Sequence, residues 1–435
     1  MTVLELNTAA WYGDLALRLE LPSTWQAQVH RPSTGPVLTD DQIRRRLANP
    51  HGQPAIAELA AGSRRPVVVV DDLNRPTPAA AVMPALLDQF QAAGIAPERV
   101  TVVLAPGTHG APPADAPVRK LGAEVAGRCR VAIHDCRGET VKLGRTRYGT
   151  PVLVHPEVAA ADFVVALGGL YPNATGGYGG GTKMILGVLA FRSIATLHYT
   201  HRSMGWGTPN QMSNFRRDLD EVAQIAGLRT SISVQVDPDR NVIDLACGHP
   251  GAYYEAAVEA ARAAFGAPAP SGADVVIANA HPNDLSLTFA RMKGMAPIRR
   301  APANASRVLI AACPEGLGFH GLFPFMNAPP GHRRRMRLMR ARMMMEDPSQ
   351  LVGKVKRRLR GVGRHAEPVA APSPHPTWLY RPSVGAAHSL PAVIPGMRVT
   401  SEWDEVVSGI AAEQSGHEQV QAAVYDCAPL QWVMP

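Results

Sequence analysis

Short aliphatic runs alternate with helix-patterned stretches through most of this chain, and no other feature constrains its fold as much. PVVVVDD (Pro66–Asp72) is a continuous apolar run of strand length, the pattern of a strand buried on both faces. TPAAAVMPALLDQFQAAG follows with helical spacing and a glycine stop. RVTVVLAPGTH (Arg99–His109) repeats the strand-and-loop pattern, and RVAIHD (Arg130–Asp135), ADFVVALGGLY (Ala161–Tyr171) and SISVQVD (Ser231–Asp237) add further strands. Such alternation predicts an α/β fold with largely parallel sheets and ligands outside the carboxyl ends of the strands.

A chain of 435 residues is too long for one ordinary core. GAPAPSG (Gly266–Gly272) is turn-rich and follows the helical EAAVEAARAAF, and a second α/β pattern then begins with ADVVIANA and SRVLIAACPEG. The expectation is two α/β domains, 1–266 and 272–435, with the active site in the cleft between them. EPVAAPSPHPTW (Glu367–Trp378) reads as a Pro-rich loop inside the second.

The net charge of +8 is concentrated: residues 333–364 hold twelve Lys and Arg against Glu346 and Asp347, so the remainder is nearly neutral. That segment could bind nucleic acid or an anionic surface. The plainer reading is a solvated helical face with methionines turned inward, and no aromatic residues interleave the arginines. Nucleic acid is therefore not expected as a partner. Apolar runs such as Val67–Val70 fall far short of the roughly 20 residues that span a bilayer, so no membrane segment is expected. The N-terminal MTVLELNTAAWYGD lacks the basic start of a signal peptide. Five scattered cysteines without a CxxC pair indicate neither a zinc site nor a disulfide framework, and a reducing cytoplasm is the simplest location.

Polar clusters sit at three predicted strand ends. In DDLNRPT, Pro76 keeps Arg75 out of a helical conformation, where its guanidinium suits bidentate capture of a carboxylate or phosphate; an Arg–Asp structural pair is the alternative. His109 ends TVVLAPGTH and could serve as acid, base or ligand. His134 and Asp135 end the next strand and could equally tie loops together. GGYGGGTK (Gly176–Lys183) is not a Walker loop, since Gly-Lys-Ser/Thr is absent. Its glycines still allow backbone N–H groups to converge on an anion, and its lysine could neutralise phosphate or act as a nucleophile. His198 and His201 lie one helical turn apart, as a pair of ligands or as one ligand beside a surface histidine.

Taken in order, these pieces resemble the nickel-pincer-dependent lactate racemase family. The resemblance runs through D-x-x-R-P (Asp72–Pro76), G-T-H (Gly107–His109), H-D (His134–Asp135), G-T-P-V (Gly149–Val152), the Gly-rich loop ending in Lys183, a histidine-bearing helix, LTFARMKGM (Leu287–Met295) and CPEGLG (Cys313–Gly318). It implies a pyridinium mononucleotide covalently attached through a thioamide to Lys183 and carrying nickel, with His198 as protein ligand and His201 as the fallback. It also implies cofactor contacts from Asp72, Gly179, Gly180, Gly181, Thr182 and Lys293, the glycines cradling the phosphate. Arg75 would hold the carboxylate of a small anionic 2-hydroxy acid, and His109 would take its hydroxyl proton during hydride transfer. Cofactor-maturation enzymes are the implied protein partners.

The sequence departs from the family where a second catalytic histidine is expected, because Pro172 is followed by Asn173. An amide hydrogen-bonds but cannot take up a proton near neutral pH. Either His134 or Tyr171 supplies the second base, or a larger substrate is epimerised differently, or only one face reacts. The functions that follow are a racemase or epimerase, a one-sided oxidoreductase between hydroxy and keto acids, or a lapsed homologue that binds a partner.

Overall fold

The computed structural model describes residues 2–32, 35–201, 203–209, 213–323, 373–383 and 388–434, with Leu338 and Val355. Apart from those last two positions, the basic segment 333–364 lies outside the described residues. The chain divides into two compact units.

One unit is Gly35–Ala261. Its sheet runs in the order Val242–Gly248, Leu228–Val236, Phe163–Gly169, Pro66–Asp71, Thr101–Ala105, Arg130–Ile133. All neighbours are parallel except Val242–Gly248, which runs against Leu228–Val236. Val69 lies opposite Val103 on one side and Ala166 on the other, and Val67 to Val70 are fully enclosed. This explains the unbroken apolar run, because a central parallel strand has no wet face. The helix Ala79–Ala92 buries Val82, Met83, Leu86, Leu87 and Phe90, and Gly94 then takes φ +76° to end it.

The chain enters this sheet at Pro66–Asp71, builds outward through Thr101–Ala105 to Arg130–Ile133, and returns on the other side at Phe163–Gly169. The strand order therefore reverses between the carboxyl ends at Asp71 and Gly169, which is where a doubly wound sheet opens its ligand crevice.

The other unit takes in the described residues up to 32, those from Arg262 to 323 and those from 373 onward. Its sheet is wholly parallel, in the order Met397–Thr400, Thr377–Tyr380, Ser306–Ile310, Val275–Asn279, Val420–Tyr425, Trp25–His30. An N-terminal hairpin, Thr2–Thr8 with Leu15–Leu21, packs Leu4, Leu6, Leu19 and Leu21 into the same core as Ile277, Val308 and Trp378. Past the hairpin's first strand, the enclosed Asp284 carboxylate accepts from Thr8 Oγ1 (2.9 Å), Ala9 N (2.7 Å) and Ala10 N (3.1 Å).

The division thus differs from the expected 1–266 and 272–435. The first thirty or so residues belong with the C-terminal portion, because Trp25–His30 finds its hydrogen-bonding partner in Val420–Tyr425. The later boundary falls at Arg262, whose guanidinium stacks 4.5 Å over the Trp432 ring while its carbonyl accepts from Trp432 Nε1 (3.0 Å). Among the described residues, no helix is long and apolar enough to cross a membrane, and all five cysteines are free.

Candidate active site

At the reversal point the turn after Asp71 carries Asp72 and Arg75, and the loop after Thr101–Ala105 carries His109. His109 Nδ1 lies 3.0 Å from Asp72 Oδ2, and Arg75 Nη2 lies 3.3 Å from His109 Nε2. A carboxylate only accepts and a guanidinium only donates. The pair therefore fixes the tautomer: Nδ1 carries the proton toward Asp72, and Nε2 presents its lone pair beside the guanidinium. Asn74 Nδ2 also donates to Asp72 Oδ2 (2.7 Å). Burial pushes the Asp72 carboxyl up, but His109, Arg75 and Asn74 outweigh it and hold it at about 2. Burial likewise opposes the Arg75 charge, and Tyr171, Asp72 and Asp71 reverse that and raise its pKa.

Lys120 lies beneath this turn, fully enclosed. Its Nζ approaches Asp71 Oδ1 (2.6 Å), the Asp72 carbonyl (3.0 Å) and the Arg75 carbonyl (3.1 Å). Asp71 Oδ2 accepts from Thr77 Oγ1 (2.6 Å) and from Gly169 N (3.0 Å), so the ion pair is anchored on the neighbouring strand.

Lys183 sits half-buried at the end of the Gly-rich loop, its methylenes against Gly176. Among the described residues its amine has no carboxylate partner, and its charged neighbours are Arg75 and Arg216. Burial first, and those two cations second, push the amine down to about 7. Arg216 is enclosed: Nε and Nη2 donate to the Gly176 carbonyl (3.2 and 3.1 Å), Nη2 also reaches the Tyr178 carbonyl and the Tyr254 hydroxyl, and the guanidinium stacks on the Tyr254 ring. It thus clamps the loop's backbone while lending its charge to the site.

The loop's glycines are there largely for packing. A Cβ on Gly179 would stand 2.7 Å from the Gly169 carbonyl oxygen, one on Gly180 2.7 Å from Ser233 Oγ, and one on Gly181 2.8 Å from the Tyr254 ring. Gly180 and Gly181 also take φ +71° and +57°, where a side chain is strained. The amide of Gly179 donates to the Tyr171 carbonyl (2.8 Å) and that of Gly181 to Ser233 Oγ (3.0 Å). These two donors are spent inside the protein, so neither is free for the expected phosphate. The Thr182 hydroxyl is likewise engaged, donating to Asp220 Oδ1 (2.7 Å).

The helix Phe191–Thr200 carries His198, whose Nδ1 lies 2.7 Å from the Ile194 carbonyl one turn back. The carbonyl can only accept, so Nδ1 holds the proton and Nε2 keeps a lone pair. Burial pushes the ring down to about 4, the Ile194 bond opposing, and Lys183 and His201 lower it further. His201 differs. It is enclosed, and its Nε2 lies 2.7 Å from Asp218 Oδ2, a carboxylate that also accepts from Thr146 Oγ1 (2.6 Å) and Thr150 Oγ1 (2.7 Å). His201 is tied through Nε2 to a carboxylate that two threonines also hold, whereas the anchored nitrogen of His198 is Nδ1 and the one it leaves free is Nε2.

The remaining expected residues have other surroundings. His134 Nε2 donates to the Leu189 carbonyl (3.0 Å); the ring is enclosed, pushed down to about 4 by burial, and has no described contact with Asp72, Arg75 or His109. Asn173 Oδ1 accepts from the amides of Thr175 and Gly176 (both 3.0 Å), forming a turn that shapes the loop before Lys183. Tyr171 is buried with Arg75, Asp71 and Asp72 as charged neighbours, and burial drives its phenol well above the usual range despite Arg75, leaving it a proton donor. Lys293 is buried at the end of Leu287–Lys293 in the other unit. Lys120, Arg216 and Asp218 had no signal in the sequence, where each reads as an ordinary charge on a helix.

A doubly wound sheet with a histidine–carboxylate pair, an arginine and a carboxylate-free lysine at its reversal point defines an enzyme-like α/β site of restricted type. Residues 12–209 match the lactate racemase N-terminal domain. The lactate racemase of Thermoanaerobacterium thermosaccharolyticum is 25% identical over 331 residues, 72% of this chain and 76% of that one. That of Lactiplantibacillus plantarum is 24% identical over 65% of this chain and 68% of its own. In fold the chain is similar to the lactate racemase apoprotein from T. thermosaccharolyticum, with a TM-score of 0.70, 20% identity, and coverage of 99% of this chain and 100% of that one. A Thermotoga maritima protein shares the fold at a TM-score of 0.56 and 14% identity, covering 90% and 99%. The N-terminal part of the chain is thus similar to the lactate racemase N-terminal domain, and the fold is similar to that of a lactate racemase apoprotein.

Proposed function

We propose that this protein is an isomerase that racemises or epimerises a 2-hydroxy acid or related alcohol, using a nickel-pincer nucleotide carried on Lys183. The observation that carries the reading is the Asp72–His109–Arg75 set, with an unprotonated Nε2 and a fixed cation at one point. Arg75 is suited to grip the substrate carboxylate by two parallel hydrogen bonds. His109 Nε2 would accept the hydroxyl proton, and Asp72 would hold Nδ1–H and favour the imidazolium that results.

The residues present suit the cofactor. Among the described residues no carboxylate competes for the Lys183 amine, which burial and two cations keep available as a neutral nucleophile near pH 7. His198 offers Nε2 with the opposite nitrogen bonded to a carbonyl, the arrangement common in metal-ligating histidines. When bound, the cofactor supplies a nickel-activated hydride acceptor and donor. Its negative charge would be met by Arg75 and Arg216 rather than by the amides of Gly179 and Gly181.

A second reading, one-sided oxidation with hydride passed to a separate keto acid, draws on Asn173. Its oxygen is occupied by two amides, His134 is bonded elsewhere, and the Tyr171 phenol holds its proton. The test is protein co-produced with a pincer-cofactor maturation system, beside a Lys183→Ala control. A covalent mass gain with one nickel per chain in the parent alone supports the cofactor assignment. Conversion of one enantiomer of a 2-hydroxy acid into the other, followed by chiral chromatography, supports racemisation, and accumulation of keto acid supports the second reading. Matured protein with neither adduct nor nickel refutes both.

A further inference from the structure

We infer that Lys120 is a positioning residue whose ammonium holds the Asp72–Arg75 turn in its reactive shape. The inference rests on the racemase reading for its functional consequence, though not for its geometry. Lys120 points inward from the short helix Ala116–Leu121 and is fully enclosed. Burying an ammonium is costly, and an aliphatic side chain would fill the space without that cost. What the ammonium adds is direction, since it donates to the carbonyls of Asp72 and Arg75 while its charge is paired with Asp71 Oδ1 at 2.6 Å.

Two of those oxygens belong to the residues whose side chains meet at His109. The Asp72 carbonyl also accepts from Arg75 N (3.1 Å), so Lys120 and the turn's own hydrogen bond share an acceptor. Asp71 in turn is anchored through its other oxygen to Thr77 and to Gly169 on the adjacent strand. A continuous set of bonds thus runs from one strand end, through Asp71 and Lys120, to the backbone from which Asp72 and Arg75 project. Without the ammonium, two carbonyls lose a donor and a buried carboxylate its counter-charge, and the turn has reason to relax. The side chains that orient His109 would move with it.

The test uses Lys120→Met and Thr77→Val in the full chain, with folding checked by circular dichroism. The first readout is the His109 ring-nitrogen NMR signature in cofactor-free protein, which reports the tautomer independently of activity. The parent should show the proton on Nδ1, and Lys120→Met should mix or invert the tautomers. The second readout is turnover after maturation, where a turn displaced by about 1 Å should lower kcat by about 100-fold, with the Lys183 adduct mass unchanged. Thr77→Val loosens Asp71 alone and should move both readouts the same way by less. It decides the matter if Lys120→Met fails to fold. A folded Lys120→Met with the parental tautomer and kcat within about twofold overturns the inference, as does an unaltered Thr77→Val where only that variant folds. If the matured parent turns over no hydroxy acid while the tautomer still depends on Lys120, the positioning role stands and the racemase reading falls.

Discussion

The Lys183 amine gives the sharpest prediction, because its environment sets a number. Burial and the charges of Arg75 and Arg216 bring it from 10.5 to about 7. At pH 7 about half of it would then be neutral, against roughly one part in three thousand for an unshifted lysine. Trace acetylation of cofactor-free protein across pH 5.5 to 10, quantified peptide by peptide, reads that midpoint, with the exposed Lys142 as internal reference. Lys183 labelling should rise through a midpoint near 7. In Arg75→Gln the midpoint should climb, since one cation is gone, yet remain well below 10.5 because burial is the larger cause. A parental midpoint above about 9.5, in the range of ordinary lysines, would refute the argument that this site is dry and cationic. The nucleophile would then need another explanation.

Other outcomes follow from the same geometry. Asp72→Asn replaces the acceptor-only carboxylate that orients His109 with a neutral amide that can also donate, so turnover after maturation should fall by about 10²- to 10⁴-fold, with the Lys183 adduct retained on intact mass. The depressed Asp72 carboxyl contributes about 2 kcal/mol of stability that is complete above its ordinary value of 3.8 and is lost as pH falls through about 2. Urea melts should accordingly show the gap between parent and Asp72→Asn closing below pH 4 and holding steady above it. His198→Ala should abolish nickel retention while leaving the melting temperature near the parent's. His201→Ala should instead destabilise by about 1–3 kcal/mol, since the enclosed Asp218 loses a partner. Gly179→Ala, whose new methyl would stand 2.7 Å from a backbone oxygen, should cost about 1–3 kcal/mol in thermal unfolding.

Much of the site-bearing unit was legible because its signals are local. The runs Val67–Val70 and Thr101–Leu104 declare their conformation within a few residues and the structure has strands there, though the second strand ends at Ala105 and leaves Thr108 and His109 in the loop beyond it. What escaped depends on partners far along the chain. Asp218 lies 72 residues from Thr146, and nothing near either predicts that they share a hydrogen bond with His201 in attendance. Lys120 and Arg216 read as charges on helix faces, and only the tertiary fold turns them inward. In the sequence the glycines offer room for an anion, whereas around Gly179, Gly180 and Gly181 the atoms of Gly169, Ser233 and Tyr254 fill much of it. Nothing beside Asn173 in the sequence shows that its oxygen forms a turn by accepting two amides.

The parallel pairing of Trp25–His30 with Val420–Tyr425 has a consequence for how the protein is made. Gln26 and Gln421 are 395 residues apart, so Trp25–His30 must wait for a strand made much later before it has that edge to join. Gly35–Ala261, with its own core, can fold while synthesis continues. Throughout that interval Leu4, Leu6, Leu19, Leu21 and Trp25, all buried in the finished protein, have no surface to cover. They form the stretch on which a chaperone would act, and the nascent chain is most exposed to aggregation there.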